Sequence, residues 1–141
     1  MLYNKILVPF DGSPGSWKAM RKAILLASDQ GAKLTAISVE EKLPQYAATV
    51  GEVDEENERQ RTYFAEINSQ AVALAKEQGM DLKTETLVGH PAETIVRHAE
   101  EHGFDLIVIG HSGHSGIWGI LLGSTTARVV NQAQCDVLVV R

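Results

Sequence analysis

Hydrophobic positions along the chain alternate between two spacings. Lys5-Ile6-Leu7-Val8-Pro9-Phe10 is a short apolar run, ended by the dense turn signal Asp11-Gly12-Ser13-Pro14-Gly15. Trp17, Met20, Ile24 and Ala27 then recur at helical spacing, with Lys18, Arg21 and Lys22 between them and Gly31 as the stop. Leu34, Ala36, Ile37 and Val39 predict a second strand. From Glu40 to about Asn57 no period is visible, and Pro44 and Gly51 interrupt the segment. Phe64, Ile67, Ala71 and Leu74 share one helical face that Gly79 ends, and Leu82 to Val88 reads as a third strand. His90-Pro91-Ala92-Glu93 opens a helix expected to bury Ile95, Val96 and Ala99 before Gly103. Asp105 to Gly110 is apolar on consecutive positions, the pattern of a strand covered on both faces. A glycine-rich loop runs from Gly110 to Gly123. Ser124 then reads as the N-cap of a helix carrying Val129, Val130 and Ala133, and Val137-Leu138-Val139-Val140 is a fifth strand.

Strands that alternate with helices predict an α/β fold, a single open parallel sheet with helices on both faces and right-handed crossovers. The chain shows no repeat, low-complexity tract or linker, so one domain is expected over residues 1–141. In such a sheet a ligand crevice lies past the carboxyl ends of the strands, where the strand order reverses. Two turns compete for that place: Asp11 to Gly15, and the loop after Gly110. Neither carries G-x-G-x-x-G, and G-x-x-x-x-G-K-[ST] is absent from the chain. Glycines nevertheless let successive backbone N–H groups converge on an anion. Gly123-Ser124-Thr125 adds the donors of a helix N-terminus, chemistry suited to a di- or triphosphate. The glycines alone would serve a sharp turn equally well. Their position between a buried strand and a Ser-led helix favours phosphate.

Charge sharpens this picture. Against 13 Lys and Arg stand 18 Asp and Glu, a net charge of −5, which argues against a nucleic-acid partner. Between Glu40 and Glu66 eight acids face three bases, so this segment holds the whole excess. A solvated loop and helix face accounts for it, and a lid over the site is the functional alternative. Cys135 is the only cysteine, which excludes an internal disulfide and a Cys-rich zinc site and fits a packed residue. No apolar run nears the roughly 20 residues that span a bilayer. Met1 to Lys5 leads directly into the first strand, so a cytoplasmic protein without membrane insertion is expected. Gly110-His111-Ser112-Gly113-His114 begins like a nucleophile elbow, but the fifth residue is His and no histidine follows. His98 and His102, four apart, and the near neighbours His111 and His114 lack any companion ligand motif, so a helix pair and an adaptable loop are the stronger reading.

The spacing Gly110-x2-Gly113-x9-Gly123-Ser124 matches the G-x2-G-x9-G-[ST] nucleotide signature of the universal stress protein family. Ile6 to Ser13, Gly89-His90-Pro91-Ala92 and Val137 to Val140 resemble that family's first strand and turn, third-strand exit and last strand, so the resemblance spans the chain. It implies a five-stranded parallel sheet in the order 3-2-1-4-5, of the adenine nucleotide alpha hydrolase-like type. ATP would lie across the ends of the first and fourth strands, with Mg or Mn as its counter-ion. Pro9 and Val39 would sit by the base with Ile109, Asp11 would take the ribose, and Phe10 between Pro9 and Asp11 would be a further nucleotide-binding residue. Gly110, Gly113, His114, Gly123, Ser124 and Thr125 would hold ribose and phosphates. The residues themselves give Asp11 two readings, a ribose acceptor at the switch point or an Asx turn. An apolar last strand at the sheet edge predicts antiparallel pairing of Val137, Leu138, Val139 and Val140 with a second chain, and the resemblance also implies that homodimer.

One departure stands out. Family loops often carry a basic or imidazole side chain where this chain has Ser112, and no Lys, Arg, Asp or Glu occurs from Gly110 to Ala127. Phosphate binding would rest on N–H groups, hydroxyls and a metal ion, so AMP or ADP competes with ATP. The leading expectation is an adenine-nucleotide-binding protein of stress response or signalling, with an unidentified regulatory protein as a further partner. A slow ATPase or phosphotransfer enzyme is the alternative, although no general base is evident. A nucleotide-free interaction module is the third reading.

Overall fold

A computed structural model of the protein describes residues 2–41, 50–112 and 122–141. Nine elements alternate among them: β1 (Lys5–Pro9), α1 (Pro14–Gln30), β2 (Lys33–Glu40), α2 (Val50–Glu77), β3 (Leu82–Val88), α3 (Pro91–Glu101), β4 (Leu106–Gly110), α4 (Ser124–Gln132) and β5 (Asp136–Val140). The five strands form one parallel sheet in the order β3-β2-β1-β4-β5. No helix among the described residues is long and apolar enough to cross a membrane.

The consecutive apolar residues of β1 and β4 follow from this layering. Ile6 and Val8 point into a core shared with α1 and α2, whereas Leu7 points into a second core shared with α3 and α4. Leu106 and Val108 alternate with Ile107 and Ile109 in the same way. A strand covered on both sides has no polar face, and each fully buried Leu, Ile or Val contributes about 1.5–3 kcal/mol. The central strand is also fastened to a distant part of the chain. The Asp105 carboxylate accepts the N–H of Asn4 at 2.8 Å and of Lys5 at 3.0 Å.

Local signals set the helix ends. The Ser13 hydroxyl caps α1 by accepting the Ser16 N–H at 3.3 Å, Pro14 occupies the first turn, and Gly31 (φ 64°) ends the helix in a left-handed turn. Helix α2 starts at Val50, inside the segment that shows no period in the sequence. Among the described side chains its first turns bury only Val53 before Phe64, and Arg59 and Arg61 pair with acids three or four residues earlier. Local ion pairs and propensity carry a helix there without an apolar stripe. At α4 the expected N-cap moves by one: Gly123 holds the cap position without a side-chain bond, and Ser124 is the first helical residue. Val130 is 42% exposed and Ala133 lies past the helix end, so Val129 is the buried apolar anchor. Val96 in α3 is only half-buried, because Ile95 and Ala99 hold the inner face.

At the opposite end of the sheet from the strand exits, the His98 and His102 rings lie tilted at 40° with centroids 4.3 Å apart. Burial, then His102 and Lys5, hold the His98 imidazole below its ordinary 6.5, outweighing Glu85 and Glu101, which act the other way. As pH falls below 6.5 the unfolded chain takes this proton before the native one, so stability is lost in that direction. The urea midpoint of the wild-type protein should therefore fall relative to that of His98→Gln between about pH 7.5 and 5.5. A difference that stays constant across that range would show that His98 does not titrate as its surroundings require.

Candidate functional site

β1 and β4 are neighbours whose connections leave in opposite directions, β1 through α1 to β2 and β4 through α4 to β5. Helices therefore diverge at their carboxyl ends, and a crevice of about 790 Å³ opens there. That volume suits a small organic ligand. Pro9, Phe10 and Asp11 line it from the exit of β1, Val39 from β2, and Ile109 and Gly110 from β4. Gly123, Ser124 and Thr125 line it from the start of α4. Gly113 and His114 lie outside the described residues.

The turn after β1 is built by Asp11 and Ser13. Asp11 Oδ1 accepts the Ser13 N–H at 2.9 Å, which is the Asx turn, and Ser13 in turn caps α1. The carboxylate that faces the crevice thus also shapes the chain that presents it. Phe10 contributes differently. Its ring is buried edge-on against Trp17 at 4.8 Å, while its carbonyl accepts the Ser38 hydroxyl at 2.7 Å. Asn68 Nδ2 of α2 donates to that same hydroxyl at 3.3 Å, joining α2, β2 and the crevice floor in one polar chain.

Gly110 has a steric duty. A Cβ at this position would lie 2.7 Å from the carbonyl carbon and oxygen of Gly15, so β4 can meet the start of α1 only through glycine. Three hydrogen bonds then fix the exit. The Thr126 hydroxyl donates to the Gly110 carbonyl at 2.7 Å, the Gly123 N–H to the His111 carbonyl at 2.9 Å, and the His111 N–H to the Val140 carbonyl at 2.8 Å. His111 is buried by this arrangement, so the clamp uses its backbone. Because Gly123 supplies no side-chain cap, the first-turn N–H groups of α4 stand at the crevice with the positive end of the helix dipole.

A second wall is built by residues that belong to none of the sequence motifs. Glu56, Arg59, Gln60 and Tyr63 of α2 stand at i, i+3, i+4 and i+7 and all line the crevice. The Tyr63 hydroxyl donates to the Asp11 carbonyl at 2.6 Å, and burial together with Asp11 raises its pKa, so it remains a donor at neutral pH. Gln60 Nε2 donates to the Glu41 carbonyl at 3.3 Å, and Arg59 pairs with Glu56 at 2.8 Å and Glu55 at 3.7 Å. Helical spacing was the available signal, but the missing apolar stripe conceals the helix that gives it meaning. Among the described lining residues three carboxylates, Asp11, Glu41 and Glu56, face one guanidinium, Arg59. No group of three or more His, Cys, Asp or Glu among the described residues is arranged to hold a metal ion.

Replacing Gly110 with Ala should cost about 1–3 kcal/mol, because backbone rather than a mobile side chain opposes the new methyl group. Urea unfolding reads this directly. A variant as stable as wild type would show that α1 and β4 can separate without penalty.

The profile of the universal stress protein family matches residues 2–141. Universal stress protein MJ0531 of Methanocaldococcus jannaschii is 38% identical over 141 residues, covering 99% of this chain and 83% of its own. The universal stress protein UspA from Lactobacillus plantarum superposes with a TM-score of 0.91 at 31% identity, covering 100% of this chain and 99% of its own. A universal stress protein solved in complex with cAMP gives a TM-score of 0.77 at 31% identity, covering 100% and 99%. One from Archaeoglobus fulgidus in complex with dAMP gives 0.66 at 26%, covering 100% of both chains. Matched over all but its first residue, with a sheet wound in the same order as its signature implied, this chain belongs to the universal stress protein family.

Proposed function

We propose that the protein binds an adenine nucleotide across the carboxyl ends of β1 and β4, and acts through that binding in stress response or signalling. The observation that carries this reading is the uncapped N-terminus of α4 opening into the same crevice as the apolar ends of β1, β2 and β4. The base lies against Pro9, Val39 and Ile109, the ribose hydroxyls meet Asp11, and the phosphates meet Ser124 and Thr125. Gly113 and His114 belong to the phosphate loop in this reading. The structural neighbours solved with cAMP and dAMP support an adenine ligand.

ATP is the nucleotide that the glycine signature implies, and Mg or Mn would enter with it. Such an ion would be held chiefly by the phosphate oxygens and water, entering with the nucleotide rather than at a preformed carboxylate cage among the described residues. In this role the protein works in the cytoplasm by binding rather than turnover. Hydrolysis well above background, lost on changing Ser124 or Thr125, would instead favour an ATPase.

A homodimer through β5 is part of the same reading. β5 pairs with β4 on one side and forms the sheet edge on the other, with Leu138 38% exposed. An apolar edge of this kind is covered by antiparallel pairing with the same strand of a second chain. Val139→Lys should give monomers by light scattering, and an unchanged dimer would rule this interface out.

Chromatography of nucleotide released on denaturing the freshly purified protein tests the ligand, backed by calorimetric titration with ATP and AMP. Asp11→Asn keeps an acceptor for the Ser13 N–H but loses the charged acceptor for ribose, so affinity should fall about tenfold. Affinity within twofold of wild type would move the ribose elsewhere.

A further inference from the structure

The α2 wall bears on which adenine nucleotide the crevice accepts. Gln60 holds the wall to the Glu41 carbonyl just past β2, and Tyr63 holds it to the Asp11 carbonyl just past β1. Glu56 and Arg59 nevertheless line the same crevice as Ser124 and Thr125 at the start of α4. Charges that line one cleft sum into the field that a ligand held there meets.

The balance of those charges is unfavourable to a polyphosphate. On the ligand's side the crevice offers the α4 N-terminus, equivalent to roughly half a positive charge. Residues 110 to 127 add no Lys or Arg. Arg59 is the only Lys or Arg among the described lining residues, and Glu56, 2.8 Å away, already occupies it. A ligand phosphate would have to compete with Glu56 and Glu55 for Arg59 while meeting Asp11 and Glu41. The Arg59 pairs are exposed and local, with 69% of the Arg59 side chain accessible, so the exchange itself is cheap and the surrounding carboxylates decide the outcome.

We propose that Glu56 and Arg59 on α2 act as a charge selector, favouring singly phosphorylated adenine nucleotides and admitting the triphosphate only when a divalent cation offsets its charge. This rests on the adenine-nucleotide reading above and specifies its ligand. Glu56 is the discriminating group, and Arg59 moderates it.

Calorimetric titration of the full-length protein with AMP, cAMP and ATP in EDTA tests the selector. AMP or cAMP should bind at least fivefold more tightly than ATP, and excess Mg²⁺ should narrow that ratio. Glu56→Gln, a half-buried substitution between residues of similar helix propensity, should narrow it at least threefold in EDTA, and Arg59→Gln should widen it. Added KCl provides a readout that a purely structural role would not move. Screening a net repulsion improves ATP binding relative to AMP, whereas screening a cationic phosphate site would worsen it. Failure of every adenine nucleotide to bind would overturn both readings. ATP binding in EDTA as tightly as AMP, or an ATP-to-AMP ratio unaffected by Glu56→Gln, would overturn the selector and leave the nucleotide site standing.

Discussion

The carboxyl end of the sheet depends on one close approach between backbones, Gly110 at the end of β4 and Gly15 at the start of α1. No side chain fits between them, and their contact sets how near the two diverging connections can come. The bond from Thr126 to the Gly110 carbonyl then places α4 against the same point. Crevice width and the position of the α4 N-terminus follow from that packing. Gly110 opens the glycine signature, yet its duty here is to bring α1 to the sheet, a structural requirement that would hold with or without a ligand.

What could be read in the sequence and what could not divide along contact range. The strands were legible because β1 and β4 are covered on both faces, which forces unbroken apolar runs such as Ile6-Leu7-Val8. Their order in the sheet came from the family resemblance carried by the glycine spacing, and the structure has that order. The start of α2 was hidden because between Val53 and Tyr63 its residues are polar and steadied by local ion pairs. The role of Tyr63 was hidden for another reason: its partner Asp11 lies 52 residues away, and no local pattern encodes such a pairing. The shift from Ser124 to Gly123 at the α4 cap is a single residue in position. In chemistry it is larger, because a serine cap would satisfy a donor that glycine leaves to the crevice.

Charge illustrates how location outweighs totals. The excess acid lies between Glu40 and Glu66, a stretch that reads as a solvated surface. The fold brings part of that stretch, Glu41 and Glu56, into the same crevice as the start of α4. The one guanidinium among the described lining residues, Arg59, comes from the same acidic stretch.

The attachment of β1 to Asp105 has a consequence for how the chain acquires its fold. β1 is the middle strand, yet one of its two neighbours is β4, about one hundred residues later, and the Asp105 carboxylate receives the N–H groups of Asn4 and Lys5. During synthesis β1, β2 and β3 can pair in order as they emerge, but the other side of β1 remains an open apolar edge until β4 arrives. The half of the molecule made first is thus also the half that cannot be finished first. A chain interrupted before Asp105 would carry that edge bare, with the hydrogen-bonding groups of its central strand exposed to any other strand nearby.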